Sequence, residues 1–174
     1  SDKLLTAESF DFESKQLYKI RIKTTDNGIP NKTFEQAFVI TVTDANDTPE
    51  NLQLSFNQIA EDASVGTIIG SFTVSDQDEG DKHQYTLVSG TGSSDNASFA
   101  IVFGELRNLT SFDYETKDTY SIRVQARDEN GESVEEQFTI NISNSNDVPT
   151  LIELSNSNVS ETTTVNSKVG TLTT

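Results

Sequence analysis

The chain has 174 residues, 33% of them hydrophobic, with 28 Asp plus Glu against 12 Lys plus Arg and a net charge of −16. That length suits one to two domains, and a field of that sign repels nucleic acid and anionic membranes while it draws cations. Cysteine, methionine and tryptophan are absent, and no apolar run approaches the roughly 18 residues that a membrane-crossing helix needs, so no membrane insertion is expected of this segment.

Taken in order, the chain reads as strands and turns. "YKIRIKTT" (18–25) alternates apolar and polar with period two, as does "FVITVT" (38–43), and the Asn27-Gly28 pair between them accepts positive φ cheaply and suits a hairpin turn. The acidic linker "DANDTP" (44–49) follows. "TIIGSFTVSD" (67–76), "HQYTLVSG" (83–90) and "FAIVFG" (99–104) are strand-length and rich in Val, Ile, Phe, Tyr and Thr. "SFDYETK" (111–117) has room for one helical turn, with acids favoured at its start. "YSIRVQAR" (120–127) and "FTINIS" (138–143) alternate again, around Asn130-Gly131, and a second polar linker, "NSNDVP" (144–149), closes the series. No segment sustains a 3.6-residue period.

The chain also repeats itself. "SFDFESKQLYKIRI" (9–22) returns as "SFDYETKDTYSIRV" (111–124), an offset of 102 residues. "EQAFVITVTDAND" (35–47) returns as "EEQFTINISNSND" (135–147), and "LQLSFNQIAEDASVGTIIGSFT" (52–73) as "IELSNSNVSETTTVNSKVGTLT" (152–173), both at an offset of 100. The two-residue difference is expected in the hairpin tip near residues 25–35. About seven strands per copy, with evenly spaced turns, predict an all-β fold of tandem Greek-key β-sandwiches. Residues 1–49 read as the C-terminal part of one repeat, with its last three strands. Residues 50–149 read as a complete repeat and 150–174 as the N-terminal part of a further one, the whole being a segment of a longer array. Inward positions expected in the complete copy are Ile68, Phe72, Val74, Tyr85, Leu87, Phe99, Ile101, Leu106, Ile122, Val124, Phe138, Ile140 and Ile142.

These motifs together resemble the cadherin repeat, in particular the bacterial cadherin-like type found in tandem on large surface proteins. The resemblance is carried by Glu61 in "IAEDA", Asp113 and Glu115 in "FDYET", Asp76 and Asp78 in "SDQDEG", Asp128 in "ARDENG", and the linker residues Asp44, Asn46 and Asp47. It implies that three calcium ions sit at each inter-repeat junction. The implied ligands at the first junction are Asp11, Glu13, Asp44, Asn46, Asp47, Asp76, Asp78 and Asp128, helped by the carbonyls of Ala45 and Thr48. At the second they are Glu61, Asp113, Glu115, Asn146 and Asp147. The residue types suit the ion, because calcium takes six to eight oxygen ligands from carboxylates, carbonyls and water. The acidic loop at 75–83 is not an EF-hand: Gly80 falls at the fifth position of such a loop and no glutamate closes it. Asn144 stands where the first linker has Asp44, which weakens the second site. The strand A glutamate of the first copy precedes Ser1, and the third copy stops short of the position matching Asp76.

Other readings are plainer. Asp26 is expected to be a solvated turn residue, His83 an exposed loop residue, and Phe10, Phe12, Phe112 and Tyr114 packing residues. One histidine, no cysteine and no Gly-x-Ser-x-Gly or phosphate loop argue against an enzyme. The expected function is a calcium-rigidified spacer or adhesive segment of an extracellular, cell-surface or secreted protein. Its expected partners are neighbouring repeats and other copies of the protein. The alternative is a carbohydrate-binding module with a surface glycan as partner, which would want a row of exposed aromatics. Strand-swapped adhesion is disfavoured, because that mode anchors a tryptophan.

Overall fold

The computed structural model describes residues 3–149 and 151–173; Ser1, Asp2, Thr150 and Thr174, which bound the expected end pieces, lie outside them. The first piece contributes an antiparallel hairpin of β1 (Leu17–Thr25) and β2 (Thr33–Thr41), in register from Leu17↔Thr41 to Thr25↔Thr33. The complete copy contributes β3 (Glu50–Leu54), β4 (Gln58–Ala60), β5 (Ile68–Ser75), β6 (Gln84–Leu87), β7 (Phe99–Val102), β8 (Glu105–Asn108), β9 (Thr119–Arg127) and β10 (Ser133–Ser143). The last piece adds β11 (Glu153–Leu154) and β12 (Leu172–Thr173), paired antiparallel.

Two four-stranded sheets build the central sandwich, in the orders β3-β5-β8-β7 and β4-β10-β9-β6. The expected first strand is split between them. Its first half, β3, pairs antiparallel with β5; its second half, β4, crosses over and pairs parallel with β10 at Gln58↔Asn141 and Ile59↔Ile142. Counted as one strand that changes sheet, β3 and β4 leave the seven-strand sandwich intact. The only helix in this copy among the described residues is a three-residue 3-10 turn at Asn96–Ser98.

Period-two alternation places the core where it was expected. In β9, Ile122, Val124 and Ala126 are buried, and Leu106 and Ile140 meet them from β8 and β10. Phe72 packs against Tyr85 and Phe138 at centroid distances of 5.7 and 5.6 Å, and Phe112 against Phe99 and Tyr120 at 5.6 and 4.7 Å. Each such aliphatic or aromatic side chain contributes roughly 1.5–3 kcal/mol when taken out of water. Phe112 is therefore the packing residue expected, whereas Tyr114 stays partly exposed.

Two expectations fail for definable reasons. Ile68 is exposed and Ile69 is buried in its place. The register of β5 against β8 shifts between Ile68 and Gly70, and an extra residue there reverses the faces of everything before it. Among the described residues the first piece also supplies two strands rather than three. By the 102-residue offset, residues 3–6 correspond to β8, which pairs with β5 and β7 in the central copy, and they form no strand here. The two-residue length difference does fall in the hairpin tip. Residues 26–32 join β1 to β2, while residues 128–132 join the matching β9 and β10.

Candidate metal centre

The linker Asp44–Pro49 runs from the end of β2 to the start of β3, and the burial of Pro49 anchors it to the central sandwich. Around it the structure brings together oxygen atoms from both repeats. Glu13 and Asp44 from the first copy and Asp78 from the β5–β6 loop each offer a carboxylate oxygen within 4.8 Å of the other two. A second group within the same distance is Asp76, Asp81 and Asp128. The two groups are stitched together by the linker. The Asp47 N–H donates to Asp78 Oδ2 at 2.7 Å, Asn46 Nδ2 donates to Asp128 Oδ2 at 2.9 Å, and Asn46 Oδ1 accepts from Asn130 Nδ2 at 2.5 Å.

Local turn chemistry aims these side chains. Asp76 Oδ1 accepts the N–H of Asp78 at 3.1 Å, a short Asx turn that bends the loop as it leaves β5. Gly80, at φ +95°, turns the chain back so that Asp81 faces Asp76, and a Cβ there would strain the backbone. Asp128 Oδ1 accepts N–H groups from Gly131 and Glu132, which fixes the carboxylate at the mouth of the β9–β10 turn. Asp26, its counterpart in the first copy, makes the same kind of turn with Gly28 and Lys32 and joins no acidic group among the described residues.

Asp11 stands apart. Its oxygens accept from the Ser14 N–H at 2.9 Å and the Ser14 hydroxyl at 2.7 Å, capping the turn rather than entering a cluster. Those bonds hold its carboxyl below the usual range. Asp128 is likewise held low, first by the Asn46 amide and then by the turn N–H groups. Asp47 is pushed up by desolvation and then by the charges of Asp78, Asp11, Asp76 and Asp44. Asp81 is pushed up by desolvation and then by Asp78 and Asp76. At Glu13 its own backbone N–H works the other way, and desolvation with the charges of Asp44, Asp47 and Asp11 outweighs it, so the net direction is up. These are carboxylates crowded against one another.

His83 departs from the expected exposed loop residue. Its side chain is only 10% exposed, and Nε2 lies 2.8 Å from Asp76 Oδ2, so it braces that carboxylate from behind. Asp81 was not anticipated as a site residue. The spacing of the loop offers no sign of it until Gly80 reverses the chain.

At the far end of the sandwich, Glu61, Asp113 and Glu115 form a third group within 4.8 Å. Glu61 is buried, and its two oxygens accept the N–H groups of Tyr114 and Ser145, both at 2.6 Å. Asn144, at the position of Asp44, donates its amide to Glu115 Oε1 at 2.8 Å and so acts as a tether rather than a fourth carboxylate. Asn146 and Asp147 are exposed; the Asp147 carboxylate does not join this group, and Asn146 Nδ2 donates to the Asp147 carbonyl at 3.4 Å. The acids that would meet them match Asp76, Asp81 and Asp128, and residues 151–174 contain none of those positions.

The donor set is all oxygen, mixing carboxylates with the Asn46 amide, and no sulfur or free imidazole competes. That chemistry fits a hard divalent cation with many ligands, and calcium better than magnesium, which demands a near-octahedral shell and sheds water reluctantly.

The comparisons with known proteins agree in family. The cadherin-domain family model matches residues 56–143. Rat cadherin-23 is 32% identical over 136 residues, covering 75% of this chain and 4% of that protein. Human protocadherin gamma-A7 is 34% identical over 134 residues, covering 72% of this chain and 14% of that protein. Among solved structures, the extracellular cadherin domains 1-4 of protocadherin gamma B7 superpose with a TM-score of 0.67 at 25% identity, covering 85% of this chain and 37% of that one. A mouse cadherin-23 structure superposes with a TM-score of 0.57 at 30% identity, covering 78% and 45%. With its split first strand, its two sheets and the match over the central sandwich, the chain belongs to the cadherin family.

Proposed function

We propose that the chain is a calcium-binding tandem segment of an extracellular protein, in which the ion stiffens the junction between successive repeats. The observation that carries this reading is the group of Glu13, Asp44 and Asp78, drawn from two repeats across one linker. Glu13, Asp44, Asp47 and Asp78 would hold calcium on one side of the linker, and Asp76, Asp81, Asp128 and Asn46 on the other. Bound calcium supplies the positive charge that lets these carboxylates lie together. The chain's own residues do the rest: Asp47 and Asn46 tie the linker to the second repeat, and Pro49 seats it. Without the ion, unit charges about 4 Å apart repel by roughly 4 kcal/mol at an effective dielectric of 20, so the junction opens as a hinge.

As a stiff spacer the segment would hold a distal part of the protein away from a surface, with neighbouring repeats as its first partners and other copies as adhesive ones. We place it in a large exported surface protein of the tandem bacterial type because the chain is acidic, cysteine-free and rich in Ser, Thr and Asn. The animal relatives support the family and are silent on that origin. Among the described residues the exposed aromatics that share a face of one strand, Phe34 and Phe38 of β2, match Val134 and Phe138, which pack against the central core, so they read as core positions rather than as a glycan platform.

Small-angle scattering tests the hinge on a longer chain with two complete repeats. The maximum dimension should shorten when calcium is removed and recover when it returns, and Asp47→Ala should abolish the recovery while the sandwich stays folded. An unchanged dimension would end the spacer reading.

A further inference from the structure

Two Asn-Gly pairs sit in matching hairpin turns, Asn27-Gly28 between β1 and β2 and Asn130-Gly131 between β9 and β10. In both turns an aspartate carboxylate accepts the glycine N–H, Asp26 Oδ1 from Gly28 at 3.2 Å and Asp128 Oδ1 from Gly131 at 2.5 Å. Both asparagines are exposed, but their side chains are held differently. Asn27 makes no side-chain hydrogen bond among the described residues. Asn130 Nδ2 donates to Asn46 Oδ1 of the linker, and the residue lines an open cavity with Asp44, Asp78, Glu79 and Asp81.

Asn-Gly is the dipeptide most open to deamidation, because glycine has no Cβ to hinder its nitrogen as it approaches the preceding side chain. The Gly131 nitrogen attacks Asn130 Cγ, the Cγ–Nδ2 bond breaks, and the proton of that nitrogen leaves with Nδ2 as ammonia. One water then opens the succinimide to aspartate or isoaspartate. For that attack the Asn130 side chain has to swing back over its own backbone, and Asn46 holds it on the linker instead. Asn46 is itself fixed, its Nδ2 donating to Asp128 Oδ2 at 2.9 Å and to the Asp47 carbonyl at 3.1 Å.

We propose that Asn130 is a conditional modification site, shielded while the linker is seated and deamidated when the linker lifts, so that an opening of the junction becomes permanent. The product accounts for the permanence. A carboxylate at 130 has no proton to donate to Asn46 Oδ1, and Asn46 cannot turn its amide round without abandoning Asp128. The new charge also enters the cavity of Asp44, Asp78, Glu79 and Asp81, where like charges already repel. The isoaspartate form adds a backbone carbon to a turn whose length is set by the bonds of Asp128 to Gly131 and Glu132. Asn27 has no partner on a linker, so its deamidation carries no such condition. The shielding rests on these hydrogen bonds alone; only its dependence on calcium rests on the reading above.

Peptide mapping by mass spectrometry follows both sites in the whole 174-residue chain at mildly alkaline pH. Asn130 should convert about fivefold more slowly than Asn27, the protection that one hydrogen bond of ordinary strength gives. Asn46→Ala should bring Asn130 up to the rate of Asn27 and leave Asn27 unchanged. An Asn130 that keeps pace with Asn27 in the wild type, no acceleration in Asn46→Ala, or a rise at both sites alike would overturn the proposal. Asn130→Asp, the product itself, should speed hydrogen exchange of the Asp47 amide, which donates to Asp78 in the seated linker. Unchanged exchange there would show that the opening is not made permanent. Calcium should slow Asn130 further and leave Asn27 alone. If it does not, while Asn46→Ala still accelerates Asn130, the calcium reading falls and the modification site stands.

Discussion

Glu61 holds two structural bonds and a charge at once, and substitutions can separate them. Its oxygens satisfy the N–H groups of Tyr114 and Ser145 inside a buried site. Glu61→Ala leaves both donors without a partner, at about 1–3 kcal/mol for each buried group. The unfolding free energy measured in urea should fall by about 2 kcal/mol or more, with or without calcium. Glu61→Gln keeps one acceptor and the shape, so its cost in EDTA should be smaller, while the stabilisation added by calcium shrinks. Asp81 and His83 show why some of the site could not be read from residue type. Asp44 and Asp47 stand in a linker whose pattern recurs 100 residues on, and Asp76 and Asp78 form an Asp-x-Asp directly after β5. Asp81 enters through the backbone reversal at Gly80, and His83 is turned inward by its bond to Asp76, neither of which leaves a pattern in the sequence.

At the level of strands, alternation was legible wherever pairing is regular, as in β9 and β10, and misleading where it is not. A single extra residue between Ile68 and Gly70 exchanges the faces of β5, and period-two reading has no means of locating it. Gly70 marks that place for a different reason. A Cβ there would lie 2.4 Å from the Phe56 carbonyl oxygen and 2.9 Å from the Phe56 nitrogen, both backbone atoms of the segment that carries β3 into β4. The third copy repeats the approach, Gly170 against the backbone of Asn156 at 2.7 and 3.0 Å. Gly70→Ala should therefore push β3 and β4 off the sandwich and cost about 1–3 kcal/mol, the usual penalty for forced overpacking. Thermal melting would check it, and hydrogen exchange should place the loosened amides in β4 and its β10 partners. The absence of a third strand in residues 3–16 belongs here too, because a strand needs its neighbour more than its own composition.

For the whole molecule, a cation that binds only the folded state stabilises it by about 2.7 kcal/mol at a hundredfold excess over Kd. Kd for extracellular calcium modules is on the order of 10⁻⁴ to 10⁻³ M. The melting temperature should then rise by several degrees in tens of millimolar calcium and much less in magnesium; coincident curves in calcium and EDTA would refute the assignment. Acid should remove the calcium increment. Glu13, Asp47 and Asp81 have carboxyls raised in the folded chain, so without calcium their contribution to stability is complete below their ordinary values of 3.8 to 4.5 and is lost as pH rises through the folded values. The same raised values let protons compete with calcium earlier than at ordinary carboxylates. The gap between melting curves in calcium and in EDTA should narrow as pH falls from 7 toward about 4.5. The fold was legible because the chain writes its strand and turn patterns more than once; the pairing of β4 with β10 was not, since only the folded chain brings Ile59 to Ile142. That pairing bears on how the segment carries load. The first and last strands of the central copy lie side by side and point the same way, while the chain enters before β3 and leaves after β10. Tension applied along the chain would draw them in opposite directions and shear their parallel hydrogen bonds together instead of peeling them one by one, so the central sandwich resists pulling with the strand that joins its two sheets.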